Sequence, residues 1–281
     1  VALAGTEEQK RLCASMITNG GFGSYCLTEP DGGSDAAHAR TTAVKKSDGW
    51  VINGRKCFIT NGPLSNFYIV FAATDKSLGA KGMTAFIVER NRDGVSIGKH
   101  EDKMGIRASE TSDVVFEDVF VPDDHMLGKE GDGFKLAMAT LNRTRPGGSA
   151  TAVGIMQHCI NLCVKYAKER VVFGKPIAKQ QAIRFMIADM EIKTQAARQM
   201  VYHAARLVDA GMADPVVGAC TKCFCGDSAF EIAGNAVQIF GGYGYSREYP
   251  VEKLLRDAKI YQIFEGTNQI QRVTISANLL K

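Results

Sequence analysis

At 281 residues the chain can form two ordinary domains with ample core, and 45% hydrophobic against 23% charged residues excludes a disordered protein. A surplus of 34 basic over 30 acidic residues, net charge +4, is too small and scattered to mark a nucleic-acid binder. The longest apolar run, Phe67 to Ala73, is far short of a membrane span, and no signal-peptide pattern is visible at the start.

The first half reads as β-structure. Strand-like runs occur at Tyr25 to Thr28, Trp50 to Thr60, Phe67 to Ala73, Thr84 to Glu89 and Val114 to Val121. Asn53-Gly54, inside the second run, predicts a hairpin turn between two strands. Gly and Asp punctuate the rest, a spacing that favours an antiparallel barrel or sandwich over βαβ units. After Pro122 the period changes to that of helices. Phe134, Leu136, Ala137 and Leu141 begin one apolar stripe, and Val153 to Ala167 continue one. Gln181 to Val208 is a long amphipathic run closed by Asp209-Ala-Gly211, and Val216 to Phe240, Leu254 to Tyr261 and Ile270 to Leu280 follow. The expectation is an α+β chain: residues 1–20, a β-domain over 21–124, and a four-helix bundle over 125–281.

Eight cysteines do not form a disulfide pattern, and the CxxC at Cys220 and Cys223, with Cys225, lacks the matching pair that zinc would need. Cys159 and Cys163 fall on an apolar helical pattern. These five are read as buried helix cysteines behaving as small hydrophobes, with no metal site, and a reducing compartment is expected.

Four segments carry candidate chemistry. Tyr25-Cys-Leu-Thr-Glu-Pro-Asp-Gly-Gly-Ser34-Asp is a strand running into a glycine-rich polar loop, either a plain turn or a donor set for a ribityl or phosphate group. Phe58-Ile-Thr-Asn-Gly62 puts an aromatic ring and a hydroxyl at a strand end. Arg170-Val-Val-Phe-Gly174 offers an arginine that either caps a helix or grips a phosphate. Ile263-Phe264-Glu265-Gly266 sets a carboxylate between bulky apolar residues and a glycine. It is either an acid at a helix N-terminus or a base whose proton affinity burial has raised.

Together these segments resemble the acyl-CoA dehydrogenases, in order, from Thr6 to Leu280. The resemblance implies FAD as cofactor and α,β-dehydrogenation of an acyl-CoA, with Glu265 in its EGT turn as the base that removes the α-proton. It implies flavin contacts at Tyr25, Leu27, Thr28, Ser34, Phe58, Ile59, Thr60, Thr267 and Gln269. A second, cross-subunit part of the cofactor site is implied at Arg170, Phe173, Gln180, Gln181, Gln238 and Gly242, and with it a homotetramer. Ser34, Asn142, Arg145, Phe264 and Gly266 correspond to substrate contacts. Asn142 stands where an aspartate is common, and Phe264 replaces a tyrosine of some medium-chain members. The implied electron acceptor is an electron-transfer flavoprotein, in bacterial cytoplasm or mitochondrial matrix. Two other readings stand beside this one: an enoyl-CoA reductase running the reaction backwards, and an inert assembly subunit. The family carries a helical domain before this point, and Val1 enters the pattern at its end, so a chain lacking that domain is expected.

Overall fold

Thr6 starts the first helix, α1 (Glu7–Thr18), with a reciprocal cap: its hydroxyl accepts the Gln9 N–H at 3.3 Å while the Gln9 side chain accepts the Thr6 N–H at 2.9 Å. The Gln9 amide then donates to the carbonyls of Asp124 and Met126 at 2.6 and 2.8 Å, fastening the helix to the end of the β-structure. The structure is a computed structural model describing residues 1–281. Residues 1–103 and 107–140 make one unit, and residues 104–106 and 141–281 the other.

The first unit is built on β1 (Phe22–Cys26), β2 (Thr42–Lys45), β3 (Gly49–Thr60), β4 (Ser65–Ala73), β5 (Met83–Glu89), β6 (Val95–His100), β7 (Thr111–Pro122) and β8 (Met126–Leu127). They form one sheet in the order β6-β7-β3-β2-β4-β5-β8, with β1 beside β4. Most pairs are antiparallel, but β1 and β2 both run parallel to β4, and the sheet does not close into a barrel. Strand β4 reads as continuous apolar sequence because both its faces are packed. Tyr68, Val70 and Ala72 join Trp50, Phe86 and Phe116, while Phe67 and Phe71 join Ile87, Leu127, Ala137 and Cys13 of α1.

The expected hairpin at Asn53-Gly54 is absent: β3 runs unbroken through it. The Asn53 carboxamide is spent across the sheet, donating to Asp118 Oδ1 at 2.9 Å and accepting the Asp118 N–H at 2.8 Å. Asp118, at φ +51, is the extra residue of a β-bulge in β7. A turn dipeptide here serves as a bulge partner.

The second unit is helical. Helix α2 (Gly133–Glu169), whose first turns belong to the first unit, joins the stripe begun at Phe134 to that of Val153 to Ala167 in one helix, and it continues through Pro146. Proline has no N–H for the Asn142 carbonyl one turn back, so that carbonyl loses its helical partner. Helices α3 (Gln181–Asp209), α4 (Pro215–Phe240), α5 (Val251–Ala258) and α6 (Asn268–Leu279) follow. A short hairpin, β9 (Val171–Val172) and β10 (Lys175–Pro176), links α2 to α3. Helix α4 is apolar on nearly every face and buried accordingly, against Met156, Cys159, Cys163, Met190 and Tyr261. Helix α3 is amphipathic and leaves Phe185, Ile192 and Tyr202 exposed. No helix is long and apolar enough to cross a membrane.

Cys159, Cys163, Cys223 and Cys225 are buried helix residues as expected, whereas Cys220 is only half-buried. All eight thiols are free, seven are buried, and burial pushes Cys159, Cys163 and Cys225 up to about 12.

Candidate active site

Six non-glycine residues adopt positive φ: Phe58, Asn61, Ile106, Asp118, Phe173 and Glu265. Four of them, Phe58, Asn61, Phe173 and Glu265, lie in the motif segments, and all but Asn61 are expected site residues. A bulky side chain in this region costs about 1–3 kcal/mol and persists only where its surroundings hold it, commonly at functional sites.

In the first unit, the register of β3 against β7 shifts between Lys56 and Ile59, so the chain bulges at Phe58. The bulge turns the Phe58 ring outward, 63% exposed, while Ile59 stays in the core at 2%. Thr60 is exposed at the strand end, and Ile59, expected as a flavin contact, has only its backbone to offer. The segment after β1 is stitched beside this bulge. The Cys57 N–H donates to the Thr28 carbonyl at 2.9 Å, and the Ser24 hydroxyl to the Thr60 carbonyl at 2.6 Å. Below them, the buried ammonium of Lys56 donates to the Leu27 carbonyl at 3.1 Å and to Glu29 Oε1 at 2.7 Å. Glu29 also accepts the Arg40 and Thr41 N–H groups at 2.6 and 3.0 Å. Burial alone would raise the Glu29 carboxyl, but the Lys56 charge and these hydrogen bonds outweigh it and hold it below the usual range. Tyr25 packs on Phe71 at 5.0 Å, its hydroxyl donating to the Ala137 carbonyl at 3.2 Å, and Leu27 packs into the same cluster. Ser34 is exposed in the loop beyond.

The second unit gathers the other residues in two places. At the first, Arg170 follows α2 and lays its guanidinium 5.4 Å from the centre of the Tyr243 ring. Both line an open cleft of about 580 Å³ with Tyr166, Val172, Ile177, Phe240, Gly241 and Gly242. Exposed Gln238 adjoins lining residue Ile239 in sequence, and Phe173 adjoins Val172; Gln180 and Gln181 sit at the start of α3. Phe173 and Gly174, at φ +51 and +74, make the two-residue turn of the β9–β10 hairpin, and the Phe173 ring stands 93% exposed.

At the second place, Glu265 and Gly266 follow one another at φ +58 and +83 between a 3-10 turn and α6. Glu265 Oε2 accepts the Thr144 hydroxyl at 3.1 Å. The Gln271 amide donates to the carbonyls of Glu265 and Gly266 at 3.2 and 2.9 Å, and the Lys222 ammonium to that of Gly266 at 2.7 Å. Arg145 is 4% exposed and donates to Asn142 Oδ1 at 2.7 Å. Burial pushes the Glu265 carboxyl above the usual carboxylate range, against the Thr144 hydrogen bond and the charges of Arg145 and Lys222. Phe264 meets Tyr261 edge to face at 5.1 Å. The Thr267 hydroxyl caps α6 by accepting the Ile270 N–H at 3.2 Å, and Gln269 is exposed on its first turn. Thr144, Lys222, Asn268 and Gln271 escape the motif reading. The available signal is Lys222, a cation in an otherwise apolar helical segment beside Cys220 and Cys223.

Residues 24–119 match the acyl-CoA dehydrogenase middle domain and residues 131–280 the acyl-CoA dehydrogenase C-terminal domain. The chain belongs to the acyl-CoA dehydrogenase family. An acyl-CoA dehydrogenase of Bacillus subtilis is 49% identical over 277 residues, 98% of this chain and 73% of that protein. An acryloyl-CoA reductase (NADH) of Anaerotignum propionicum is 47% identical, over 99% and 71% of the two. Among solved structures, butyryl-CoA dehydrogenase of Megasphaera elsdenii superposes with TM-score 0.97 at 48% identity, covering 99% of this chain and 73% of that one. A chain of a solved structure described as the electron transferring flavoprotein of Acidaminococcus fermentans superposes with TM-score 0.97 at 50% identity, covering 100% and 74%. As an acyl-CoA dehydrogenase the chain is an oxidoreductase of an FAD-dependent family. Its residues suit that cofactor. An exposed ring and a hydroxyl lie at the Phe58–Thr60 strand end, and a guanidinium lies at a cleft where Gly241 and Gly242 leave space open.

Proposed function

We propose that this acyl-CoA dehydrogenase oxidises acyl-CoA thioesters to trans-2-enoyl-CoA, with Glu265 as base and an electron-transfer flavoprotein as acceptor. Glu265 takes the α-proton as the Cα–Cβ double bond forms. Bound FAD supplies the two-electron acceptor for the β-hydride. The observation that carries the reading is the Glu265 turn. It is a strained carboxylate with raised proton affinity, and two buried side chains hold its backbone carbonyls. The Glu265 N–H, which donates to no backbone carbonyl, is a suitable donor to the thioester oxygen as negative charge builds there.

In this reading Phe58, Thr60, Thr28 and Ser34 hold the flavin ring and its chain, and Arg170 binds a diphosphate bidentately. The exposed Phe173 turn supports the further proposal of a homotetramer, in which this hairpin reaches a neighbouring subunit's cofactor. The partner is supported by the A. fermentans structure, which concerns an electron transferring flavoprotein.

The test is anaerobic bleaching of the bound flavin by acyl-CoAs of graded chain length, in the wild type and in Glu265→Gln. The variant should keep its flavin and its acyl-CoA binding but reduce at least about 10³-fold more slowly, the upper part of what one general base contributes. Bleaching within tenfold of wild type would move the base elsewhere, and no bleaching by any acyl-CoA would favour an inert assembly subunit. The A. propionicum reductase gives the reverse direction specific support. Consumption of NADH by an enoyl-CoA with electron-transfer flavoprotein present, without turnover of the saturated thioester, would establish that direction.

A further inference from the structure

Lys222 lies about two turns into α4 and is 4% exposed, on a stretch where Ala219, Cys223, Cys225 and Gly226 are also buried. Burying an ammonium is costly unless it is well held. Its ammonium makes no carboxylate contact at ion-pair distance; it donates to the Gly266 carbonyl at 2.7 Å and to Asn268 Oδ1 at 2.8 Å. The first acceptor belongs to the turn that carries Glu265, and the second is the first residue of α6 just beyond it. Asn268, itself 1% exposed, is fixed in turn. Its amide donates to the Cys223 carbonyl at 3.1 Å and to Asp227 Oδ1 at 2.8 Å, and Asp227 also takes Gln262 and Arg272 at 2.8 and 2.7 Å. The network runs from α4 to the first residue of α6, with the Glu265–Gly266 turn spanning the gap.

We propose that Lys222 is a positioning residue for Glu265: it clamps the left-handed turn through Gly266 and Asn268 and sets a buried positive charge behind the base. The inference rests on Glu265 being that base. Burial lowers Lys222 to about 8, which leaves it mostly protonated at neutral pH. The charged and titratable groups around it are Cys223, Arg145, Glu265 and Asp227, and those facing Glu265 are Arg145 and Lys222. Losing the Lys222 charge leaves only the Thr144 hydrogen bond and the Arg145 charge to oppose the burial of Glu265, so the carboxyl binds its proton more tightly. More of the base is then protonated at a given pH, and the acid limb of the rate profile moves upward.

The test uses the holoenzyme and the variants Lys222→Met, Lys222→Gln and Lys222→Arg, with Glu265→Gln as control. Anaerobic flavin reduction by acyl-CoA is followed against pH, along with acyl-CoA affinity, flavin content and melting temperature. In Lys222→Met the limiting rate should fall about tenfold to a hundredfold, as for a misplaced reacting group, with little change in acyl-CoA affinity. Its acid limb should move to higher pH, and Lys222→Arg should return the limb toward wild type. If Lys222→Met does not fold, Lys222→Gln, which keeps a donor for Gly266 without the charge, decides by the position of its limb. A wild-type rate and limb in the uncharged variants, or a lowered melting temperature alone, would overturn the proposal while a slow Glu265→Gln left the base intact. A fast Glu265→Gln would overturn both.

Discussion

The ammonium of Lys56 and the carboxylate of Glu29 meet at 2.7 Å with side-chain exposures of 0% and 5%, joining the segment after β1 to the strand that carries Phe58. Breaking such a pair from one side leaves the other charge buried, so Lys56→Met should cost about 3–5 kcal/mol. The double variant Lys56→Met, Glu29→Gln should recover part of the loss. Chemical denaturation of all three proteins measures this; a cost below about 1 kcal/mol would place the pair in the class of solvent-exposed bridges.

The same pair has a pH signature. The Glu29 carboxyl is held below its ordinary 4.5, so its contribution is complete above 4.5 and is lost as pH falls through the lower folded value. Melting temperature plotted against pH should therefore fall more steeply below 4.5 in wild type than in the double variant. Parallel curves would contradict it.

Phe58→Gly separates fold from function. The ring is 63% exposed and its backbone left-handed, so little packing is lost and strain is relieved. The protein without flavin should lie within about 1 kcal/mol of wild type in stability, relief of strain offsetting the backbone freedom of glycine. The flavin-to-protein ratio after gel filtration should nevertheless drop. A variant that loses stability but keeps its flavin would make Phe58 a packing residue.

Arg170→Ala should weaken flavin retention by about 1.5–3 kcal/mol, the scale of a charge-assisted phosphate contact. The folding stability lost with the Tyr243 contact should be nearer about 0.5–1 kcal/mol. Equal flavin content in variant and wild type would reduce Arg170 to the end of a helix.

Thr144→Val removes the hydrogen bond that holds the Glu265 carboxyl down. The acid limb of flavin reduction should move to higher pH, with melting temperature nearly unchanged because the hydroxyl is exposed. A shift to lower pH would mean that Thr144 stabilises the protonated acid.

The long helices were legible because their apolar periods run without interruption, as from Gln181 to Val208 within α3. The strands were legible as elements, but their connections were not. Asn53-Gly54 has the composition of a turn, and only the opposite strand's Asp118 makes it part of a bulge. The unbroken course of α2 past Pro146 likewise runs against local propensity, since proline removes a helical N–H. At the site, residues with a characteristic neighbourhood, such as Glu265 in its EGT turn, could be named from the sequence. Lys222 could not: it touches the turn from a helix 44 positions away in sequence, and its role lies in what its ammonium reaches.

The thiols carry a practical consequence. Cys220 alone of the eight is not buried, and Cys159, Cys163 and Cys225 sit near 12, where almost no thiolate forms at neutral pH. The folded chain thus has one natural attachment point for a maleimide dye or spin label, two residues before Lys222 on the same helix. A reporter there can follow the Glu265 turn with every other cysteine left in place.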